Sequence, residues 1–231
     1  YAALKASTIG NENTAVGAYA LTAHTTASCN TAVGAQALNA NTTASANTAV
    51  GGMALKTNIS GDNNVAVGVH ALCLSTASCN TAVGAAALRN TTAAYNTAVG
   101  ALSQYATSTG TKNTSLGACA LASNTTAGCN TAIGIEALCA NSTGAASTAV
   151  GACALRANTT GYENTAVGSL ALPVNTTGCQ SVAVGRQALQ SNTTGCYNNA
   201  VGFRALGSNT TASQNTATGY NALYNNTTAN Y

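Results

Sequence analysis

The chain has 231 residues, a formal net charge of +3 and 5% charged residues, against about 25% in an average globular domain. Aromatic residues make up 4% of the sequence, and there is no Trp. Such a composition lacks the large side chains that fill a conventional enzyme core and the basic patch of a nucleic-acid interface. It also lacks the run of about 18 apolar residues that would insert into a membrane as a helix.

An internal repeat dominates the sequence. The motif Asn-Thr-Ala-Val-Gly and its close variants occur thirteen times, with ten of the twelve glycine-to-glycine intervals being 17 residues and two being 16. We number the unit from its Asn as position 1. The units begin near Asn13, Asn30, Asn47, Asn64, Asn80, Asn96, Asn113, Asn130, Ser147, Asn164, Ser181, Asn198 and Asn215. This array leaves no room for another domain, so the sequence predicts a single repeat domain over residues 1–231.

The unit is too short for a pair of helices, and its Asn-Thr-Thr and Gly segments would break them. Positions 1–5 predict one short strand, the Ala-Leu segment around positions 8 and 9 predicts a second, and position 12 begins a turn. Stacked units of this kind predict an all-β fold, a parallel β-solenoid (β-roll) of about thirteen coils. We expect the Gly at position 5 to need a positive φ or a close approach, and the Asn column at position 1 to form an amide ladder.

The alternation of side chains predicts which strand face is buried. Positions 2 and 4 are mostly Thr and Val, and we place them inward against the Leu of position 9. Position 3 then faces outward, and its alanines would permit the close approach of another surface. The predicted self-association face consists of Ala15, Ala32, Ala49, Ala66, Ala82, Ala98, Ala132, Ala149, Ala166, Ala183, Ala200 and Ala217. An exposed but unpartnered face is the alternative.

Sequons for N-glycosylation recur in the predicted turn. The candidate acceptors are Asn41, Asn58, Asn90, Asn124, Asn141, Asn158, Asn175, Asn192, Asn209 and Asn226. Glycans on exposed turns would make a surface of low charge soluble. The alternative is that Asn-Thr-Thr serves the turn itself, because Asn accepts the left-handed conformation and Thr hydroxyls bond turn backbone.

Nine cysteines favour an oxidising compartment, and the odd number leaves at least one thiol unpaired within the chain. Cys179 and Cys196 share a position in adjacent coils and are candidates for a disulfide. Cys73 and Cys79 flank one turn and could also pair. Without a Cys-x-x-Cys motif or an acidic repeat, the sequence predicts no metal site and no cofactor. His24 and His70 are interpreted as turn or surface residues.

The Asn-Thr-Ala-Val-Gly-x-x-Ala-Leu units resemble the head repeats of trimeric autotransporter adhesins and the 17-residue repeats of phage and virus tail fibres. The resemblance implies a trimer of β-rolls acting as an extracellular adhesin or fibre. Neither end of the array carries a charged or Pro-bearing cap, which favours either flanking domains or head-to-tail stacking into a filament.

Three functions are consistent with these features, and none is enzymatic, because no base stands beside a nucleophile in a repeated or unique pattern. The first is a structural or adhesive fibre subunit, extracellular or on a cell or virion surface, that assembles with copies of itself as a homotrimer or filament. The second is a receptor-binding tail-fibre segment whose partner is a cell-surface glycan or receptor. The third is an ice-binding solenoid, although ice faces generally carry paired Thr, and here Thr alternates with Val.

Overall fold

The computed structural model describes residues 3–5 and 8–229. The chain divides into two compact units, the first ending at Asn113 and the second beginning at Thr114. The regular secondary structure of the described residues consists of thirteen strands of three residues each. They are β1 (Thr14–Val16), β2 (Thr31–Val33), β3 (Thr48–Val50), β4 (Val65–Val67), β5 (Thr81–Val83), β6 (Thr97–Val99), β7 (Thr114–Leu116), β8 (Thr131–Ile133), β9 (Thr148–Val150), β10 (Thr165–Val167), β11 (Val182–Val184), β12 (Asn199–Val201) and β13 (Thr216–Thr218). Nowhere in the described ranges is there a helix long and apolar enough to cross a bilayer.

Each unit is a parallel β-solenoid. Within the first unit β1 to β6 pair in chain order, and within the second β7 to β13 do the same. Every strand residue faces its counterpart one repeat later, as Ala149 faces Ala166. The sequence prediction of an all-β parallel solenoid with one coil per repeat is therefore confirmed.

The predicted second strand at the Ala-Leu segment is wrong, because each coil has one strand only. Positions 7, 9 and 17 adopt positive φ without being glycine, as in Cys153 (57°), Leu155 (51°) and Ala146 (57°). Left-handed residues turn the chain, so this segment bends around the coil instead of extending. The Leu of position 9 accepts a left-handed conformation costing about 1–2 kcal/mol. Its complete burial offsets that cost with about 1.5–3 kcal/mol.

The predicted inward and outward faces of the strand are reversed in the structure. Position 3 points inward, and eleven of the twelve alanines assigned to a self-association face are buried. They are Ala32, Ala49, Ala66, Ala82, Ala98, Ala132, Ala149, Ala166, Ala183, Ala200 and Ala217, while Ala15 is half-buried. These alanines pack with the Ala of position 8 and the Leu of position 9 in one apolar cluster per unit. The interior is narrow, so it takes the methyl group of Ala and leaves Thr and Val outside.

The glycine of position 5 has both the positive φ and the close approach to a neighbouring coil that the sequence predicts. Gly51 has φ of 131°, and a Cβ on it would lie 2.6 Å from the backbone carbonyl carbon and oxygen of Gly68 in the next coil. Its neighbour Gly52 has no heavy atom within 4 Å of such a Cβ. The fold therefore requires Gly at position 51 but leaves room for a side chain at position 52.

We predict that Gly51→Ala destabilises the protein by about 2–3 kcal/mol, because the added methyl group meets backbone and the residue must keep a positive φ. Gly52→Ala is the matched control and should change the free energy of unfolding by less than about 1 kcal/mol. Urea unfolding of both variants measures the difference. Equal effects would contradict the close stacking of position 5.

Candidate functional surface

Two buried columns of asparagine hold the coils together. At position 1 the side-chain oxygen accepts the backbone N–H of position 1 in the next coil, as Asn30 Oδ1 does from Asn47 at 2.9 Å. The side-chain nitrogen donates across the interior to the position 15 carbonyl of its own coil, as Asn130 does to Gly144 at 3.0 Å. Each Asn thus closes one coil and fixes the next.

The longest amide ladder lies at position 12 and not at position 1. Asn158 Nδ2 donates to Asn141 Oδ1 at 2.9 Å, and Asn175 Nδ2 donates to Asn158 Oδ1 at 2.8 Å. The same nitrogen also donates to the position 15 carbonyl three residues on, as Asn141 does to Gly144 at 2.9 Å. Both asparagine columns therefore converge on the position 15 carbonyl, which has two lone pairs to accept them.

This ladder occupies most of the positions proposed for glycans. The side chains of Asn41, Asn58, Asn124, Asn141, Asn158, Asn175, Asn192 and Asn209 are fully buried. The expectation that these residues lie on exposed turns is therefore wrong. A glycan attached to Nδ2 would also displace the hydrogen bonds that this atom donates in the ladder. Asn90 and Asn226 are half-buried, and their Nδ2 atoms donate to the carbonyls of Tyr105 and Ala229. The turn-chemistry alternative explains the Asn of Asn-Thr-Thr.

The first Thr of Asn-Thr-Thr forms a further column. Thr159 Oγ1 donates to the carbonyl of Thr176 at 3.0 Å, and Thr176 Oγ1 donates to that of Thr193 at 3.1 Å. The second Thr of the motif is exposed, as at Thr160 and Thr177. The sequence predicts a single turn at this motif, and it carries no signal for this division of roles between the three residues.

The side-chain length of the residue at position 12 follows the number of residues in its coil. In most 17-residue coils this residue is Asn, and its side-chain oxygen accepts from the backbone N–H three residues later. Asn58 Oδ1, for example, accepts from Gly61 N at 3.0 Å. The coils that begin at Asn64 and Asn80 have 16 residues, and there the shorter Ser75 and Thr91 span two. Thr91 Oγ1 accepts from Ala93 N at 3.0 Å. One fewer residue in the turn is thus compensated by a shorter side chain.

Thr107 breaks this rule. It occupies position 12 of a 17-residue coil, and its buried hydroxyl has no hydrogen-bond partner in the described structure. We predict that Thr107→Asn raises stability by about 1 kcal/mol, because the longer amide can reach Gly110 as its counterparts do. Thermal unfolding measures the change.

The matched control is Thr91→Asn, which places the same residue in a 16-residue coil that is fitted to Thr. We expect it to lower the unfolding temperature. If the two substitutions shift stability in the same direction, coil length does not select the residue at position 12.

His24 also belongs to the position 12 column, where the turn begins. It is fully buried, so of the two interpretations as a turn or a surface residue the second is wrong. Its Nε2 accepts from Asn13 Nδ2 at 3.0 Å, while its Nδ1 has no partner in the described structure. Burial lowers the pKa of the His24 imidazole. His70 lies at position 7 in a different column and is half-buried.

We define the outer β face as the side chains at positions 2 and 4, which are half-buried or exposed in every coil. Position 4 carries Val16, Val33, Val50, Val67, Val83 and Val99 in the first unit. In the second unit it carries Leu116, Ile133, Val150, Val167, Val184, Val201 and Thr218. Leu116 is 48% exposed and Ile133 37% exposed. Position 2 is Thr in ten coils, Val in two and Asn in one, so neither column carries a charge.

Charged side chains occur elsewhere on the coil. They occupy positions 6, 7, 10, 16 and 17, at Glu12, Lys56, Asp62, Arg89, Lys112, Glu136, Arg156, Glu163, Arg186 and Arg204. Arg156 Nη1 lies 3.9 Å from Glu136 Oε2, and both side chains are about half exposed. An ion pair of this exposure contributes little to stability. The outer β face is thus uncharged in a chain whose other surfaces carry charge.

Positions 6 and 7 vary between coils. Position 6 is exposed in most coils, whereas position 7 is half-buried in most and buried at Gln187. Near the end of the second unit they hold aromatic and cationic groups in successive coils. The rings of Phe203 and Tyr220 stack at 5.3 Å, and the Arg204 guanidinium lies 5.1 Å from the Phe203 ring centre. These contacts use neighbouring side chains as partners, and Tyr220 remains 76% exposed.

The two proposed cysteine pairs differ in the structure. Cys179 Sγ and Cys196 Sγ are 2.6 Å apart. Cys73 is buried at position 10, and Cys79 is exposed at the end of the same coil. No disulfide bond joins any of the nine cysteines in the structure as described. Within residues 3–5 and 8–229, no three His, Cys, Asp or Glu side chains come together as metal ligands.

In comparisons with protein-family models, curated proteins and solved structures, nothing matches this chain. The repeat and the coil built from it are therefore the basis for any functional assignment. The structure shows a β-solenoid with one coil of about 17 residues per repeat. Such a fold does not by itself define a function.

Proposed function

We propose that this protein is a structural or adhesive fibre subunit, located outside the cell or on a cell or virion surface, that assembles with copies of itself through its outer β face. The observation that carries the proposal is the uncharged and mostly β-branched surface that repeats in register from coil to coil. Isolated apolar side chains on a surface need no explanation, but a contiguous apolar face marks an interaction site.

The choice of a second copy as the partner rests on the regularity of this face. A surface that repeats every coil, at the strand spacing of about 4.8 Å, fits best against another surface with the same repeat. The same columns on a second copy of the chain have that repeat. Apolar columns of β-branched residues also interdigitate well where two sheets pack face to face.

The proposed location outside the cell is supported by composition and resemblance. The chain combines 5% charged residues with nine cysteines, and its repeat resembles those of adhesin heads and tail fibres. In a fibre of this kind the variable positions 6 and 7 would face outward between assembled faces. There they would be available to a glycan or receptor on another surface.

We predict that Leu116→Lys weakens self-association by roughly tenfold or more, because it places a charge inside an apolar interface. The matched control is Ala122→Lys in the same coil at position 10, where other coils already carry Lys and Arg. Both variants have the same net charge. Light scattering after size exclusion measures the molar mass of each.

The wild-type chain and Ala122→Lys should have masses that are multiples of 22.5 kDa, and Leu116→Lys should have a lower mass at the same concentration. Circular dichroism checks that both variants keep the fold. A wild-type mass of 22.5 kDa at high concentration would contradict assembly.

A second candidate function is ice binding through the same face. It is favoured by the outward orientation of the Thr and Val columns, which sequence analysis had assigned to the interior. Regular Thr hydroxyls and methyl groups on an uncharged sheet could order water molecules. A thermal hysteresis assay on the monomeric fraction tests it, and the absence of hysteresis at millimolar concentration would reject it.

A further inference from the structure

At position 16, side chains with a hydroxyl, carboxylate or thiol group accept a hydrogen bond from the backbone of the preceding coil. In the first unit Ser28 N donates to Ser45 Oγ at 3.1 Å. In the second unit Cys196 N donates to Ser213 Oγ at 3.0 Å, and Cys179 N donates to Cys196 Sγ at 3.0 Å. The side chain at position 16 therefore points back to the same position of the preceding coil.

Cysteine occupies this column in two adjacent coils. The backward orientation directs Cys196 Sγ towards Cys179, and the two sulfur atoms are 2.6 Å apart. The remaining cysteines lie in other columns, and no two of them share a position in adjacent coils. Cys29, Cys79 and Cys129 are the last residues of their coils, Cys73 and Cys139 are at position 10, and Cys119 and Cys153 are at position 7. In the 16-residue coil of Cys79, the member of the position 16 column is Ser78, whose Oγ accepts from Asp62 N at 2.9 Å.

We propose that Cys179 and Cys196 form a disulfide that joins two neighbouring coils, and that no other pair within the chain does so. The proposal is independent of self-association, because both thiols belong to one unit of one chain. The bond would close a loop across one repeat and hold the two coils in their native register.

The oxidant is a low-molecular-weight disulfide such as oxidised glutathione. The thiolate of one cysteine attacks it, forming a mixed disulfide and releasing one glutathione thiolate. The second cysteine, as its thiolate, attacks the protein sulfur of the mixed disulfide and releases the other. In total the protein loses two protons and two electrons, and one oxidised glutathione becomes two reduced molecules.

The exposure of the two thiols sets their order of reaction. Cys179 is buried, at 7% exposure, whereas Cys196 is half-buried. Cys196 is therefore the entry thiol, and Cys179 resolves the mixed disulfide. Burial and the hydrogen bond from Cys179 raise the pKa of the Cys196 thiol. The thiolate fraction near neutrality is small, so the reaction should accelerate as the pH rises.

The experiment incubates the reduced, full-length protein with oxidised glutathione, blocks the remaining thiols and digests with trypsin. Cleavage after Arg156, Arg186 and Arg204 places Cys179 and Cys196 in separate peptides, 157–186 and 187–204, each with one cysteine. We expect these peptides to be joined by a disulfide. The intact oxidised protein should have seven titratable thiols in place of nine.

The control is Cys196→Ser, because Ser is the residue that this column carries elsewhere and preserves its hydrogen bonds. It should fold, keep eight thiols under the same conditions and lack the joined peptides. Oxidation should raise the unfolding temperature of the wild-type chain by roughly 5–10 °C and leave that of Cys196→Ser unchanged.

A second variant tests whether the column geometry produces the bond. Ser28→Cys combined with Ser45→Cys places two cysteines at position 16 of adjacent coils in the first unit, and we expect it to gain a second disulfide. The proposal would be overturned if the wild-type protein kept nine thiols. It would also be overturned by a disulfide within peptide 57–89, which contains Cys73 and Cys79, or by a product linked only between chains.

Discussion

The satisfaction of buried backbone groups by asparagine is the interaction on which this fold depends. A coil with a three-residue strand leaves most of its backbone outside any regular sheet, and an unpaired buried N–H or C=O costs about 1–3 kcal/mol. Position 1 accepts the N–H of the following coil, and positions 1 and 12 both donate to the position 15 carbonyl. Side-chain amides thus supply the hydrogen bonds that a longer strand would make with its neighbours.

This requirement limits what else the interior can hold. Two amide columns and one Leu column occupy it, so position 3, in the middle of each strand, is never larger than Ala or Ser. Thr and Val are excluded to the outside for the same reason. The outer β face is therefore a consequence of how the interior is filled. That it stays free of charge is a separate property, and it supports the proposed assembly.

The serine substitutions at position 1 show how far the arrangement tolerates change. Asn164 N donates to Ser147 Oγ at 3.2 Å, so the bond between coils is retained with a shorter side chain. Ser lacks the nitrogen that closes the coil, but Asn158 still donates to Gly161 at 2.8 Å. Because the position 15 carbonyl accepts from both asparagine columns, one of the two hydrogen bonds can be absent in a single coil while the carbonyl keeps a partner.

The repeat length and the glycine spacing were sufficient to predict the parallel solenoid, its register and the need for Gly at position 5. The orientation of the strand could not be predicted from alternation alone, because Ala and Thr both occur inside and outside proteins. It depended on the width of the interior, which is set by Asn and Leu from other parts of the coil. The left-handed Leu155 gave no sequence signal, since Leu seldom adopts that conformation. The two shortened units could be located from the glycine spacing, and both lack Asn at position 12, at Ser75 and Thr91. The coil-length rule itself could not be derived from the sequence, because the 17-residue coils with His24 and Thr107 lack that Asn as well.

Hydrogen exchange of the asparagine side-chain amides, followed by nuclear magnetic resonance, tests the central claim most directly. The account predicts that the Nδ2 protons of buried residues such as Asn141 and Asn158 exchange at least about 100-fold more slowly than those of the exposed Asn221 and Asn225. Uniformly fast exchange of all asparagine amides would contradict it, because the columns would then not hold the coils together.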